Sequence, residues 1–192
     1  MVGLSLSSAM DNAGLGGMLS MMTDDILIES ISPSTEPFVQ DLIRRNLAGY
    51  EEAGSVLKAT FRRLTSLLNV YQSDGARFFV LRDTKAGGGI IGGAGIGTLH
   101  GLLPSEGLGE VRDLVLEEGY RGRGLGARLL KRCVDEAKAL GYKRLYLETT
   151  PQMEKAQKLF IRFGFRPVTQ AQPESLNSPE DKIPCYFLLE SV

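Results

Sequence analysis

The spacing of apolar residues predicts that strands and helices alternate along the chain from residue 26 onwards. Short apolar runs between turn residues are typical of strands, and apolar positions that recur every three or four residues are typical of amphipathic helices. The predicted strands cover residues 26–28, 78–81, 90–99, 110–116 and 143–149, with strand-like segments near 167–170 and 183–190. The predicted helices carry the apolar positions between Phe38 and Leu47, those between Val56 and Leu68, and the segments 125–140 and 153–163. This order predicts a mixed α/β sheet with helices on both faces.

The strand 90–99 is unusual because it contains four glycines, at positions 92, 93, 95 and 97. A glycine weakens a strand, and it often marks a bulge or a surface that another group approaches closely. The alternative is that these small residues pack under a helix, and the sequence leaves both interpretations open.

Length and composition favour one domain. A chain of 192 residues can bury a sizeable core. Residues 1–23 are rich in Met, Ser and Gly and show no apolar periodicity, so we expect a flexible leader followed by a single domain over residues 24–192. The N-terminus lacks the basic start of a signal peptide, which predicts a cytoplasmic protein.

Charge and residue counts exclude several other classes of function. The net charge of −1 offers no general attraction to nucleic acid, and no apolar run approaches the roughly 20 residues that span a bilayer. One His and two Cys without ligand spacing predict no metal site. Cys133 lies on an apolar helical stripe, so we expect a reduced thiol in the core. The oligomeric state stays open, a homodimer included.

A glycine-rich turn at residues 121–126, Arg-Gly-Arg-Gly-Leu-Gly, carries the strongest chemical signal. It lies between the predicted strand 110–116 and the predicted helix 125–140. Glycines let a ligand approach the backbone, and a helix N-terminus favours anions. Arg121 and Arg123 add full positive charge. The pattern therefore predicts a site for a cofactor that carries a pyrophosphate.

The spacing Arg-x-x-Gly-x-Gly resembles the acyl-CoA-binding signature of the GNAT superfamily of N-acetyltransferases. The segment 156–165, Ala-Gln-Lys-Leu-Phe-Ile-Arg-Phe-Gly-Phe, is similar to the last helix of that superfamily. The resemblance implies the GNAT-like acyl-CoA N-acyltransferase fold, which has a mixed, mostly antiparallel central sheet splayed at the cofactor site beside strand 110–116. It also implies acetyl-CoA as co-substrate.

The resemblance assigns roles along strand 110–116. A strand glutamate eleven residues before the first arginine of the signature is the general base in some members, and Glu110 holds that position. The backbone N–H four residues later, that of Leu114, would stabilise the oxyanion. Its neighbours Val115 and Leu116 would pair with the pantetheine amides. The full set of residues implied to bind the cofactor is Leu114, Val115, Leu116, Arg121, Gly122, Arg123, Gly124, Leu125, Gly126, Ala127, Met153 and Phe160.

Two positions in the last helix depart from the superfamily. Phe160 replaces the usual Tyr, a proposed acid for the leaving thiolate, and Met153 replaces the usual Asn. Phe160 can pack against the cofactor but cannot donate a proton. Water or another group must then protonate the thiolate, or the step needs little help, because a thiol has a pKa of about 8.5. Tyr186 is a weak substitute, for which a core or interface role is the alternative.

The residues themselves leave alternatives for the base. Strict alternation puts Glu110, Arg112, Leu114 and Leu116 on one face of the strand, and Val111, Asp113 and Val115 on the other. Glu110 could instead form an ion pair with Arg112 or Arg144. Asp113 and Glu148 are the next candidates for a base.

A dinucleotide site is the main rival for the glycine turn. Gly122, Gly124 and Ala127 satisfy a loose Gly-x-Gly-x-x-Ala fingerprint, and Glu148 ends the following strand. However, residues 117–120 separate the strand from the glycines, where that fingerprint needs a tight turn, and the two arginines suit a CoA pyrophosphate better.

The predicted function is therefore the direct transfer of an acetyl group from acetyl-CoA to a primary amine of a small molecule. The alternatives are a peptide or protein amine as acceptor, and an acyl-CoA-binding sensor without catalysis. His100, which precedes a loop, could line the acceptor pocket or be structural. No code for the acceptor is found in residues 35–75, 100–109 or 170–185.

Overall fold

The computed structural model of the chain describes residues 25–48, 60–85, 87–99, 102, 104–168 and 185–192. The predictions for the leader 1–23, for Val56, for His100 and for the loop 170–181 lie outside these residues. All of the elements below belong to the described part of the chain.

Seven strands form one sheet, as the apolar runs predict. They are β1 (Ile26–Ser30), β2 (Arg77–Asp83), β3 (Gly89–Thr98), β4 (Leu108–Leu116), β5 (Arg144–Thr149), β6 (Arg166–Val168) and β7 (Cys185–Leu189). Their spatial order is β1-β2-β3-β4-β5-β7-β6. The pair β4–β5 is parallel and the other neighbouring pairs are antiparallel. The predicted mixed, mostly antiparallel sheet is confirmed.

Helices cover both faces of this sheet. They are α1 (Glu36–Leu47), α2 (Leu67–Tyr71), α3 (Leu125–Ala139) and α4 (Glu154–Arg162), and residues 60–63 are also helical. One apolar core lies between the sheet and α3 and α4, and it includes Leu129, Leu130 and the fully buried thiol of Cys133. A second core lies on the side of α1 and α2 and includes Val39, Leu42 and Tyr71. The predicted core position of Cys133 is confirmed.

The glycines of β3 make room for large side chains. A Cβ atom on Gly93 would lie 2.7 Å from the ring of Phe78, closer than real Cβ contacts come. A Cβ atom on Gly95 would overlap the ring of Tyr71. The same atom on Gly97 would overlap the guanidinium group of Arg112. Large side chains therefore approach this strand closely, and because Tyr71 ends helix α2, the alternative of small residues that pack under a helix also holds at Gly95.

The sheet opens between β4 and β5. Their parallel pairing runs from Leu108 with Arg144 to Val111 with Leu147 and then stops. Strand β4 continues to Leu116 with β3 as its remaining partner. The predicted splay beside strand 110–116 is confirmed, and it begins just after Val111.

A bulge interrupts β4 within the opened part. Two residues of β4, Asp113 and Leu114, oppose the single residue Ala94 of β3. Asp113 has a φ of 54°, and it is the one non-glycine residue with positive φ in the described part of the chain. This is the position that glycine usually takes in a bulge with a left-handed first residue.

The bulge overturns part of the predicted face assignment, because one extra residue shifts the period-2 alternation of side chains. Val111 packs in the core beside α3, whereas Val115 packs in the core beside α1, so these two valines do not share a face. Leu114 and Leu116 pack towards α3 and α4, away from the face of Arg112. The residues of β4 that share the α1–α2 face are Glu110, Arg112, Asp113 and Val115.

Candidate active site

The glycine turn between β4 and α3 leaves an open backbone surface. Gly122 and Gly124 have φ values of 76° and 78°, which side-chain-bearing residues rarely adopt. A Cβ atom on either glycine would meet nothing within 4 Å. Gly124 is also the N-cap of α3, and no side chain caps this end of the helix. Backbone N–H groups at the start of α3 are therefore available to an anion.

The third glycine of the motif serves packing instead. A Cβ atom on Gly126 would lie 3.3 Å from Leu159 of α4 and 3.5 Å from Leu116 of β4. Leu125 is buried beside it in the core, and Ala127 is half-buried. These residues hold the N-terminus of α3 against the end of β4, next to the open part of the sheet.

The two arginines of the turn are exposed, and other residues of the protein contact both guanidinium groups. The Nε of Arg121 donates to the carbonyl oxygen of Leu116 at 3.2 Å, and its Nη2 donates to Oδ1 of Asn46 in α1. The guanidinium of Arg123 lies 5.0 Å from the centre of the Tyr120 ring. Both positive charges thus lie beside the glycines, where they can bind the phosphate groups of a ligand.

Tyr120 is itself anchored to the end of β2. Its hydroxyl donates to Oδ2 of Asp83 at 2.6 Å. This hydrogen bond raises the pKa of Tyr120. The ring therefore stays neutral at physiological pH and provides a fixed face for Arg123.

Glu110 lies next to Val111, where β4 and β5 separate. Its Oε2 lies 3.4 Å from the Nε of Arg112, and both side chains are 14% exposed. This distance gives an ion pair without a well-formed hydrogen bond. The pairing with Arg112 that the sequence offered as an alternative is present, and Glu110 lies one residue before the last pair between β4 and β5.

Asp113 is the centre of a buried polar cluster. Arg63 donates to it twice, from Nη2 to Oδ1 at 2.7 Å and from Nε to Oδ2 at 2.9 Å. The hydroxyl of Tyr71 donates to Oδ2 at 2.6 Å, and that of Thr60 donates to Oδ1 at 3.3 Å. The Asp113 side chain is 1% exposed. A carboxylate with four donors has no site left for the proton of a substrate, which disfavours Asp113 as a base.

Burial and charge together fix the protonation states in this cluster. Burial lowers the pKa of Arg63, but the charge of Asp113 outweighs it and the net shift is upward. Burial, followed by the charge of Asp113, raises the pKa of Tyr71 well above its usual range. Arg63 therefore stays charged and the phenol of Tyr71 stays neutral near physiological pH. The sequence pattern carries no signal for Arg63, and for Tyr71 it offers one signal, the glycine opposite its ring.

The far side of the opening carries buried hydroxyl groups. Thr149 and Thr150, at the end of β5, are each 4% exposed. Neither hydroxyl has a hydrogen-bond partner among the described residues. A buried polar group without a partner is costly, so such groups usually meet a ligand or water. These two hydroxyls fit a ligand with amide groups.

The two unusual residues of the last helix differ in position. Met153 is the N-cap of α4 and follows the two threonines closely in the chain. Phe160 is 5% exposed, and its ring centre lies 5.9 Å from that of Phe187 and 6.2 Å from that of Phe165. Phe160 therefore belongs to an aromatic cluster in the core, and its contact with a cofactor stays a prediction.

Tyr186 is 9% exposed, and its ring stacks on Tyr146 at 5.9 Å. This contact agrees with the core role that the sequence offered for Tyr186. Among the described residues, no group of three or more His, Cys, Asp or Glu side chains could hold a metal ion. No helix in the same residues is long and apolar enough to cross a membrane.

These features fit acetyl-CoA as a ligand. The open glycine backbone and two cations suit a pyrophosphate, and the unpaired threonine hydroxyls suit the amides of a pantetheine arm. The strands that lead to these two groups, β4 and β5, are no longer paired with each other beyond Val111 and Leu147. Residues 117–120 form a short 3₁₀ turn and its lead-in rather than a tight strand-to-helix turn, which does not suit a dinucleotide.

Comparisons with known proteins agree with this geometry. The sequence model of the acetyltransferase (GNAT) family matches residues 40–165. YjgM of Escherichia coli K12, named as an uncharacterized N-acetyltransferase, is 31% identical over 108 residues, which cover 56% of this chain and 62% of that protein. The chain therefore spans less than two thirds of the length of this curated relative.

Two other relatives differ in the acceptors that their names state. A protein of Oryza sativa named "Probable glucosamine 6-phosphate N-acetyltransferase 2" is 41% identical over 58 residues, 30% of this chain and 33% of that protein. The N-alpha-acetyltransferase RimI of Mycobacterium tuberculosis is 36% identical over 84 residues, 44% of this chain and 50% of that protein. The first name states glucosamine 6-phosphate as the acceptor, and the second specifies an alpha-amine.

Among solved structures, YncA of Salmonella typhimurium, determined with its cofactor acetyl-CoA, has a TM-score of 0.65 to this chain at 18% identity. The match covers 86% of this chain and 94% of that chain. At this level of identity the likeness shows the fold.

Proposed function

Because the chain belongs to the acetyltransferase (GNAT) family, we propose that it is an N-acetyltransferase that moves the acetyl group of acetyl-CoA to a primary amine of a small molecule. The observation that carries the proposal is the opening between β4 and β5, which has Glu110 at its inner end and the open glycine turn at its outer end. Such an opening can admit a thin acyl-pantetheine arm while the phosphates stay on the protein surface.

In the proposed site, the backbone of Gly122 and Gly124 and the N-terminus of α3 hold the pyrophosphate, with Arg121 and Arg123 beside it. The backbone of Val115 and Leu116 and the hydroxyls of Thr149 and Thr150 orient the pantetheine arm. Acetyl-CoA supplies an acetyl thioester as the electrophile. Holding this group in one place turns an encounter in solution into a step within one complex.

Glu110 is proposed to take a proton from the acceptor amine, directly or through water. An alkylamine is mostly protonated at neutral pH, and its nitrogen can attack only after it loses that proton. The nitrogen then bonds to the carbonyl carbon and releases its second proton to solvent, the carbon–sulfur bond breaks, and the sulfur leaves as a thiolate. The Leu114 N–H is proposed to stabilise the negative charge on the carbonyl oxygen.

Among the residues that the structure describes, none is assigned as the acid for the leaving thiolate. Phe160 has no donor and lies among other aromatic rings. Because a thiol has a pKa of about 8.5, a thiolate leaves far more readily than an amide nitrogen and needs little help. We propose that solvent protonates it.

The relative named for glucosamine 6-phosphate supports a small-molecule amine as acceptor. The relative RimI supports a peptide N-terminus as the second candidate. Both candidates use the same donor site and the same base. They differ in the size of the acceptor, so a panel with both kinds of amine separates them.

Ligand-dependent unfolding tests the donor assignment. A ligand at 100 times its dissociation constant adds about 2.7 kcal/mol to the free energy of unfolding. We expect acetyl-CoA to raise the melting temperature in a saturable manner and NAD and NADP to leave it unchanged. The proposal would be overturned in favour of a dinucleotide site if NAD raised the melting temperature in a saturable manner and if adenine nucleotides, but not CoA, competed with NAD.

A further inference from the structure

The left-handed backbone of Asp113 requires an explanation. For a residue other than glycine, this conformation costs about 1–3 kcal/mol of conformational free energy. Such a residue therefore adopts it only where the surrounding structure enforces it. Asp113 has a φ of 54° inside a strand, at the bulge that opposes Ala94. No ligand is needed to account for its side chain, because three neighbours already bind it.

The clamp on Asp113 comes from separate parts of the chain. Arg63 and Thr60 lie one turn apart on the helical residues 60–63, and Tyr71 ends α2. Together they place four hydrogen bonds on the two carboxylate oxygens. The ring of Tyr71 fits only because Gly95 has no side chain. Helices on the α1–α2 face thus fix the side chain of a residue in the middle of the sheet.

The backbone of Asp113 controls the direction of the next N–H group. A peptide unit is planar, so the Leu114 N–H lies in the same plane as the carbonyl group of Asp113. Rotation about the backbone bonds of Asp113 therefore turns the Leu114 N–H. A carboxylate that is held at both oxygens limits this rotation.

We propose that Asp113 is a positioning residue, whose clamp by Arg63, Tyr71 and Thr60 fixes the bulge so that the Leu114 N–H points at the thioester carbonyl oxygen. The inference rests on the proposed function of Leu114 as oxyanion donor. It adds residues from the α1–α2 face that do not touch the reacting atoms. A preorganised donor of this kind is worth about 10²–10³-fold in turnover.

The variant Tyr71→Phe tests the clamp with the least disturbance. It removes one hydroxyl, which lies 2.6 Å from Asp113, and keeps the ring that packs against Gly95 and under Arg112. Tyr142→Phe is the matched control, because Tyr142 is equally buried and its hydroxyl donates to the carbonyl oxygen of Gly75 at 2.8 Å. Asp113→Asn is a second test, since Asn tolerates the left-handed region but cannot form the ion pair.

The readout is the carbonyl stretch of acetyl-CoA labelled with ¹³C at the thioester carbon, measured by infrared spectroscopy on the bound ligand. It needs no acceptor. We expect the unsubstituted protein to shift the band to lower frequency, Tyr71→Phe to lose most of that shift, and Tyr142→Phe to keep it. Acetyl-CoA affinity should stay within a few-fold in all three. With an acceptor, kcat of Tyr71→Phe should fall by roughly tenfold or more, with its pH profile unchanged.

The possible outcomes separate this inference from the proposed function. A full carbonyl shift in both Tyr71→Phe and Asp113→Asn would overturn the positioning role and leave the acetyltransferase proposal intact. Acetyl-CoA that binds the unsubstituted protein without any carbonyl shift would overturn the role of Leu114 and with it this inference. Absence of acetyl-CoA binding would overturn the proposed function itself.

Discussion

The Nη2 atom of Arg63 lies 2.7 Å from Oδ1 of Asp113, in an ion pair that is buried at the bulge of β4. The Arg63 side chain is 17% exposed and that of Asp113 is 1% exposed. This pair joins the helices on the α1–α2 face to the strand that lines the opening of the sheet. A change in this ion pair is therefore expected to affect both the stability of the fold and the proposed chemistry.

Removal of Arg63 should destabilise the protein strongly. Arg63→Met leaves the Asp113 carboxylate buried without its cation, which typically costs about 3–5 kcal/mol. Arg45→Met is the matched control, because Arg45 also binds a carboxylate with two nitrogens, that of Glu117, but is 52% exposed. We expect the control to lose about 0–1 kcal/mol. Urea denaturation measures both, and equal losses would contradict the burial argument.

A side chain at Gly124 should block the donor site. Gly124→Glu puts a negative charge and extra atoms into the open surface where the phosphate is proposed to bind. We expect acetyl-CoA affinity to fall by well over tenfold. Isothermal titration calorimetry measures it.

The control for this variant is Gly141→Glu at the other end of α3. Gly141 has a φ of 84°, and a Cβ atom there would also meet nothing within 4 Å. The backbone strain is thus matched, but the site is remote from the turn. If both variants bind acetyl-CoA as the unsubstituted protein does, the pyrophosphate does not lie on the turn.

Replacement of Glu110 should lower turnover without weakening donor binding. Glu110→Gln keeps the size of the side chain and removes its basicity, and a positioned base contributes about 10²–10⁴-fold in rate. Higher pH should recover part of the loss, because more of the amine is then deprotonated in solution. Steady-state rates with a turned-over amine measure the effect.

Glu29→Gln is the control for the base, because Glu29 also lies on a strand and also forms an ion pair, with Arg82. Its strand, β1, is at the edge of the sheet and is separated from β4 by β2 and β3. It should keep normal turnover. Near-normal rates for Glu110→Gln from pH 6 to 9 would show that Glu110 is not the base. Glu148 would then be tested next, since the carboxylate of Asp113 is already bound by four donors.

The two cysteines should differ in reactivity. Burial raises the pKa of the Cys133 thiol to about 12, so very little thiolate forms near neutral pH, and the side chain is fully buried. Cys185 is half-buried at the start of β7. Iodoacetamide should therefore label Cys185 first and Cys133 only in denaturant. Mass spectrometry of peptides checks this, and early labelling of Cys133 in the folded protein would contradict its core position.

Local patterns were enough to predict most of the architecture. The apolar runs that became β2 and β5 are short and bounded by turn residues, and the apolar stripe of α3 follows the helical period closely. The glycine turn was also predictable, because Gly122 and Gly124 need positive φ for reasons that lie within the turn itself.

The bulge at Asp113 was not predictable, because its cause is not local. The side chain of Asp113 is held by Arg63, which is 50 residues away in the sequence, and by Tyr71, which is 42 residues away. Strict alternation therefore placed Val111 on one face of the strand and Leu114 and Leu116 on the other, whereas all three lie on the same face in the structure. The glycine at position 95 hinted at a close contact but did not reveal that its partner was Tyr71.

The most direct test of the account is the reaction itself. The purified protein is mixed with acetyl-CoA and a panel of amino sugars, amino acids, polyamines and short peptides, and both free thiol and acetylated amine are measured. We predict that at least one amine gives equal amounts of thiol and N-acetyl product, at a rate that Glu110→Gln lowers by about 10²-fold or more. Saturable acetyl-CoA binding with no acetylated product from any amine, and no thiol release above the protein-free rate, would contradict the account and indicate an acyl-CoA sensor.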